Sequence, residues 1–229
     1  MLSCLGGRSR NTVTFDGPVY ATTFALSGTG RVNCNRGFTS NAGSTMDFAG
    51  DGFLNAGAGQ TVKAAIANSA GANTGTLTLN ANSVLDGAVG AASGLKNVVG
   101  GNALITGQAK AAAFTLGTNT LNVGGALAIP VGWTANTTIF SQAVYGKIVP
   151  VGAATIGNAL QVNVTVTGPI ATGRSFNSGT TGSTVTATDN SLPYAFSAPP
   201  TANGLVTVTT AQIPLANVVA PVVPLLPRW

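Results

Sequence analysis

The feature that most limits what this chain can fold into is its rhythm. Short stretches alternate polar and apolar residues, and each is soon closed by glycine, asparagine or serine. Thr12-Val13-Thr14-Phe15 is one, followed by Arg31-Val32-Asn33-Cys34, Thr45-Met46-Asp47-Phe48, Thr76-Leu77-Thr78-Leu79 and Thr120-Leu121-Asn122-Val123. A period of two places one set of side chains on a buried face and the other in solvent, which is the pattern of a half-buried strand. Between the stretches stand Gly28-Thr29-Gly30, Gly50-Asp51-Gly52, Gly71 to Gly75, Gly100-Gly101-Asn102 and Gly124-Gly125. Glycine and asparagine supply the left-handed backbone positions that tight turns need, so these segments read as turns. Gly75 to Asn80 (GTLTLN) and Asn119 to Gly125 (NTLNVGG) read as one unit in two copies.

Composition narrows the fold further. Only 7% of residues are charged, against about 25% in an ordinary globular domain. Hydrophobic residues make up 45%, so the chain lacks the low-hydrophobicity, high-charge signature of disorder. Threonine, valine and isoleucine are plentiful, and β-branched side chains suit a pleated surface. The expected fold is therefore all-β: a parallel β-helix, or β-solenoid, in which each coil contributes short strands and inward Leu, Val, Ile and Phe stack between coils. Adjacent coils of such a stack lie ~4.8 Å apart.

The organisation expected along the chain has four parts. Residues 1–10 read as a disordered leader and residues 11–129 as the solenoid. Residues 130–210 carry longer strand candidates: Gln161 to Thr167, Ser183 to Thr188 and Gly204 to Thr209. This part reads either as further, wider coils or as a β-rich, sandwich-like cap over the open end of the stack, with Tyr194 and Phe196 as core anchors. Residues 211–229, with Pro214, Pro221, Pro224 and Pro227, read as a Pro-rich linker, because proline disrupts both helix interiors and central strands.

Three stretches carry a family resemblance. Residues 28–98, with ANTGTLTLNANSVLDGAVGA and, further on, FTLGTNTLNVGGAL, resemble the passenger repeats of rickettsial outer-membrane-protein-B-like autotransporters. YGKIVPVGAATIGNALQVNVTVTGPIATG (145–173) and YAFSAPPTANGLVTVTTAQIPLANVVAPVV (194–223) are similar to the distal passenger region of such surface proteins. The resemblance implies a β-helix displayed at the surface of a Gram-negative cell, followed in the family by a linker and an outer-membrane β-barrel. Neither a signal peptide nor the alternating strands of a barrel occur in these 229 residues, so the chain is expected to be one segment of a longer exported protein. Implied partners are molecules on host or neighbouring cells, with no membrane insertion by this segment itself.

The inventory of reactive residues is thin. Without histidine, Ser-His-Asp and Cys-His nucleophiles are excluded, as are most zinc ligand sets. Glutamate is absent too, so any paired-carboxylate chemistry rests on Asp16, Asp47, Asp51, Asp86 and Asp189. A β-helical polysaccharide-cleaving enzyme would need two of them facing each other across the bond. Asp47 and Asp51, with help from Asn55, form the one candidate calcium cluster, but six to eight oxygens are needed and the expected role is hydrogen bonding to local turn backbone. Cys4 and Cys34 have no histidine partner that would activate a thiol. Trp133 and Tyr145 read as core.

The net charge of +5 comes from ten scattered cations (Arg8, Arg10, Arg31, Arg36, Lys63, Lys96, Lys110, Lys147, Arg174 and Arg228) with no basic run, so nucleic acid is not an expected partner. Thr76, Thr78, Thr118 and Thr120 raise the alternative of a carbohydrate- or ice-binding threonine face, although no Thr-x-Thr recurs at constant spacing. The expectation is thus a non-enzymatic structural or adhesive module with no catalytic, cofactor or metal site. The alternatives are a stand-alone binding solenoid or a polysaccharide-cleaving β-helix.

Overall fold

The computed structural model describes residues 2–4, 12–39, 43–129, 134–141, 143–151, 154–156, 160–170, 175–180, 185–190, 194–197 and 205–212. Among them every regular element is a strand. The strands stack in parallel as a β-solenoid with three faces.

The first face is built from Leu2–Cys4, Thr23–Ser27, Thr45–Ala49 and Ala65–Ala67. It continues through bridges at Val89 and Ala109 to Leu127–Ile129 and Ala154–Ile156. The second face carries the longest strands: Thr12–Phe15, Arg31–Cys34, Phe53–Ala56, Thr74–Leu79, Leu95–Gly100, Ala109–Gly117, Thr134–Ile139, Leu160–Val166 and Val185–Asp189. The third face has seven strands, one for each complete coil: Val19–Tyr20, Phe38–Thr39, Thr61–Val62, Val84–Leu85, Ala103–Ile105, Thr120–Val123 and Lys147–Pro150.

The alternation read from the sequence becomes three apolar files running along the axis. On the second face Val32, Leu54, Leu77, Val98, Phe114, Ala135 and Val162 lie in register and are buried. Phe24, Met46, Ile66, Val89, Ala109 and Leu127 do the same on the first face. On the third, Phe38, Val62, Leu85, Ile105 and Val123 follow one another. Each fully buried side chain of this size stabilises by roughly 1.5–3 kcal/mol relative to exposure. Near the N-terminus aromatics fill the bore. Phe24 packs edge-on against Phe15 and Phe38, with ring centroids 6.1 and 6.3 Å apart.

Two glycines show why the coils can close. Gly87 lies at the corner between the third and first faces, where a β-carbon would sit 2.2 Å from the carbonyl oxygen of Ala64 in the preceding coil. Gly75 combines a φ of +75° with a position where a β-carbon would lie 2.6 Å from Cγ of Phe48. At the first site glycine lets the backbones stack at a sharp corner, and at the second it makes room for a core ring.

Gly75 and Gly100 thus belong to strands (Thr74–Leu79 and Leu95–Gly100) and not to the turns expected around them. The apparent repeat also dissolves. GTLTLN forms most of Thr74–Leu79 on the second face, whereas NTLNVGG contributes Thr120–Val123 to the third. Similar composition at the two places reflects similar local demands and not equivalent positions in the coil.

Parallel stacking continues past residue 130, through Thr134–Ile139, Leu160–Val166 and Val185–Asp189. A second arrangement is threaded into the same region. Leu205–Gln212 pairs antiparallel with Ser175–Thr180 on one side and Tyr194–Ser197 on the other. Phe196 is buried in the common core and Tyr194 packs partly buried against it. Most of the leader (1 and 5–10), Trp133 and the Pro-rich stretch 213–229 lie outside the described residues.

Candidate binding face

The carboxylates named from the sequence are spread along the stack, with only Asp47 and Asp51 on the same coil. Asp16 accepts a hydrogen bond from Asn35 Nδ2 at 2.7 Å, and Asp86 accepts one from Thr106 Oγ1 at 3.1 Å. Asp47 accepts from both the backbone N–H and the hydroxyl of Ser69. Asp51 accepts from the N–H of Gly75 at 3.2 Å and pairs with Lys96 Nζ at 2.8 Å. Each of these bonds leads to a later coil. The expected role of Asp47 and Asp51 as donors' partners within their own turn is therefore corrected: a coil brings the residue one circuit later closer than many sequence neighbours. Asp47 stands in the strand Thr45–Ala49 and Asp51 at the following corner. Among the described residues no three His, Cys, Asp or Glu side chains gather in a way that could hold a metal ion. Asn55, considered as an auxiliary calcium ligand, instead donates to Asn33 Oδ1.

Cys34 is a free, fully buried thiol on the inner face of the second sheet, and burial pushes its pKa up to about 11. A thiol held protonated by an apolar surround is a core residue and not a nucleophile. Cys4 lies in Leu2–Cys4, in register with Leu26. Tyr145 packs partly buried against the core, with Lys147 Nζ 5.6 Å from its ring centroid. Arg31 covers the ring of Phe53 at 5.0 Å.

The four threonines considered as a binding row do not form one. Thr76 and Thr78 project outward from the second face, while Thr120 starts a strand of the third and Thr118 lies at the corner before it. A different row exists. On the outer side of the second face, strand register aligns Thr14, Asn33, Asn55, Thr78, Val99, Thr115, Asn136, Asn163 and Thr188. Eight of these nine positions are threonine or asparagine, and Val99 alone departs.

Hydrogen bonds run along the file on both sides of Val99. Asn33 Nδ2 donates to Thr14 Oγ1 at 3.2 Å and Asn55 Nδ2 to Asn33 Oδ1 at 3.3 Å. Asn80, at the end of the next strand, donates to Asn55 Oδ1 at 2.9 Å. Beyond the gap, Thr115 Oγ1 donates to Asn97 Oδ1 at 3.2 Å, Asn136 Nδ2 to Thr115 Oγ1 at 3.3 Å and Asn163 Nδ2 to Asn136 Oδ1 at 2.8 Å. Thr188 Oγ1 closes the series with a 2.8 Å bond to Asn163 Oδ1. Asparagine's paired donor and acceptor let each side chain serve the coil before and the coil after.

At the gap the surface is concave. A groove of about 410 Å³ is lined by Thr78, Asn80, Val99, Gly101, Thr115 and Asn119, with backbone between them. Its shape follows from the corner between the second and third faces. The coil of Thr74–Leu79 rounds that corner through residues 80–83, whereas the next coil turns within Gly101 and Asn102. At this level Gly101 lies close against the backbone of Leu79 to Ala81 in the preceding coil, and Gly100 faces Leu121 of the core. The longer corner and the Asn119 corner thus form walls on either side of a glycine floor. No charged residue lines it.

Comparisons with protein-family models, with curated proteins and with solved structures returned no match. The class of molecule is therefore defined by its fold, a three-faced parallel β-solenoid.

Proposed function

We propose that this chain is a non-enzymatic structural or adhesive segment of an autotransporter-like protein, displayed at the cell surface as a stiff spacer. The observation that carries the reading is the direction of its polar side chains. Asp16, Asp47, Asp51, Asp86 and the Asn/Thr file join one coil to another. Seven coils at ~4.8 Å each make a rod roughly 30–35 Å long, and such bonds resist its bending and unwinding. The passenger-like stretches at 28–98, 145–173 and 194–223 support a surface location. The sparse charge leaves amides and hydroxyls as the outward contacts.

The test is antibody labelling of intact cells that make the protein, paired with brief protease treatment of the same cells. Labelling of unpermeabilised cells, lost after protease, is the expected result. Signal that appears only after the cells are broken would sink the proposal.

A further inference from the structure

We infer that the groove at the break in the polar file is a binding site for a neutral saccharide. The first reason is the break itself. A file that served only to tie coils together would carry Asn or Thr at every level, and it does so at eight of nine. At the ninth, Val99 puts an apolar surface at the groove, between Thr78 and Thr115. The second reason is what the break leaves available. Among the described residues the Thr78 hydroxyl has no hydrogen-bond partner. Asn80 uses its Nδ2 on Asn55 Oδ1 and the Ala56 carbonyl, and Asn119 uses its Nδ2 on the Leu116 carbonyl. The side-chain oxygens of both asparagines, which line the groove, remain as acceptors.

The chemistry of that lining selects the ligand class. A sugar ring presents C–H groups on its faces and hydroxyls around its rim. Val99 and the Gly100–Gly101 backbone offer a small apolar floor for the former. Thr78 can donate to or accept from a ring hydroxyl, and the oxygens of Asn80 and Asn119 accept from others. About 410 Å³ falls within the range of small-ligand sites. A phosphate or acidic sugar would find no cation in the lining. An extended peptide has no free edge to join, because the neighbouring strands are paired on both sides at this level.

Because it concerns this groove alone, the assignment is independent of where the protein resides. The experiment is titration of the isotope-labelled chain with neutral tetrasaccharides (cellotetraose, maltotetraose and chitotetraose) at millimolar concentration, read by amide NMR. Shifts confined to the groove, around Thr78, Asn80, Val99 to Gly101 and Asn119, are expected for at least one of them. Thr78→Val, nearly isosteric, should weaken that binding by about tenfold, the order expected for one lost hydrogen bond. Val99→Asn, which replaces the apolar floor with an amide able to bond Thr78 and Thr115 across the break, should abolish it while the remaining spectrum stays unchanged and thermal stability does not fall. No shift with any tetrasaccharide overturns the inference, as do shifts mapping elsewhere on the rod or affinity unchanged in both variants.

Discussion

The two sides of the second face are made by the same strands, yet they hold the coils together by different physics. The inner side stacks Val32, Leu54, Leu77, Val98 and Phe114, all essentially removed from water. The outer side stacks Asn33, Asn55, Thr115, Asn136 and Asn163 as half-buried polar groups linked by hydrogen bonds. Apolar burial is non-directional and scales with area, so the inner file tolerates Ala135 beside Phe114. Hydrogen bonds need atoms at set distances, so eight of the nine positions in the outer file hold residues that donate and accept at once. The inside supplies stability; the outside supplies register, since a coil that slipped by one residue would lose every bond in the file.

Four measurements test this contrast. The largest effect is expected from Leu77→Ala, which empties a fully buried site in the middle of the inner file. It should cost about 2–5 kcal/mol of unfolding free energy in urea titration. A loss under about 1 kcal/mol would mean that the bore is loosely packed. Gly75→Ala should follow, at about 1–3 kcal/mol, because the added carbon meets the Phe48 ring and the backbone is left-handed there. Partial recovery with Phe48→Leu would identify the ring clash as the cause.

The third measurement is pH dependence. The Cys34 thiol titrates at about 11 in the folded chain, up from an ordinary 9.0, because burial penalises the thiolate. Above pH 9 the unfolded chain releases this proton while the folded chain keeps it. Cys34 should therefore make stability fall between about pH 9 and 11 and contribute no slope below that range. Urea midpoints across that window check it, and Cys34→Ala should flatten this component of the slope.

The smallest effect is expected from Asn136→Ala on the outer side. It removes a donor to Thr115 and an acceptor for Asn163 and should cost about 0.5–1.5 kcal/mol, since both partners can turn to water. A cost equal to that of Leu77→Ala would erase the distinction between the two sides.

Much of the fold was legible in the residues. Thr12–Phe15, Arg31–Cys34 and Thr120–Val123 are strands with the bounds that alternation suggests. Stacked coils with apolar interiors follow from short strands, dense turns and scarce charge. The polar file and its groove were not legible, for a reason that can be stated with particular residues. Steps along the polar file run from 16 residues (Val99 to Thr115) to 27 (Asn136 to Asn163), because corners differ in length. A search for constant spacing passes over such a row, and it favours accidental likenesses such as GTLTLN and NTLNVGG. Asn68 escaped notice for a related reason. Its buried amide ties together the carbonyls of Gly71, Thr74 and Gly94, the last of them a full coil away.

By itself the sequence determined the all-β class, the solenoid and the exclusion of histidine-based chemistry, since these depend on local periodicity and on which residue types exist at all. Which residues share a level of the stack emerges from the folded coils alone. That arrangement turned the aspartates into ties between coils, aligned the Asn/Thr file and set Val99 between Thr78 and Thr115. The physical reason is that register along a solenoid is the sum of all preceding corner lengths, and each corner is set by backbone packing against the coil beneath it.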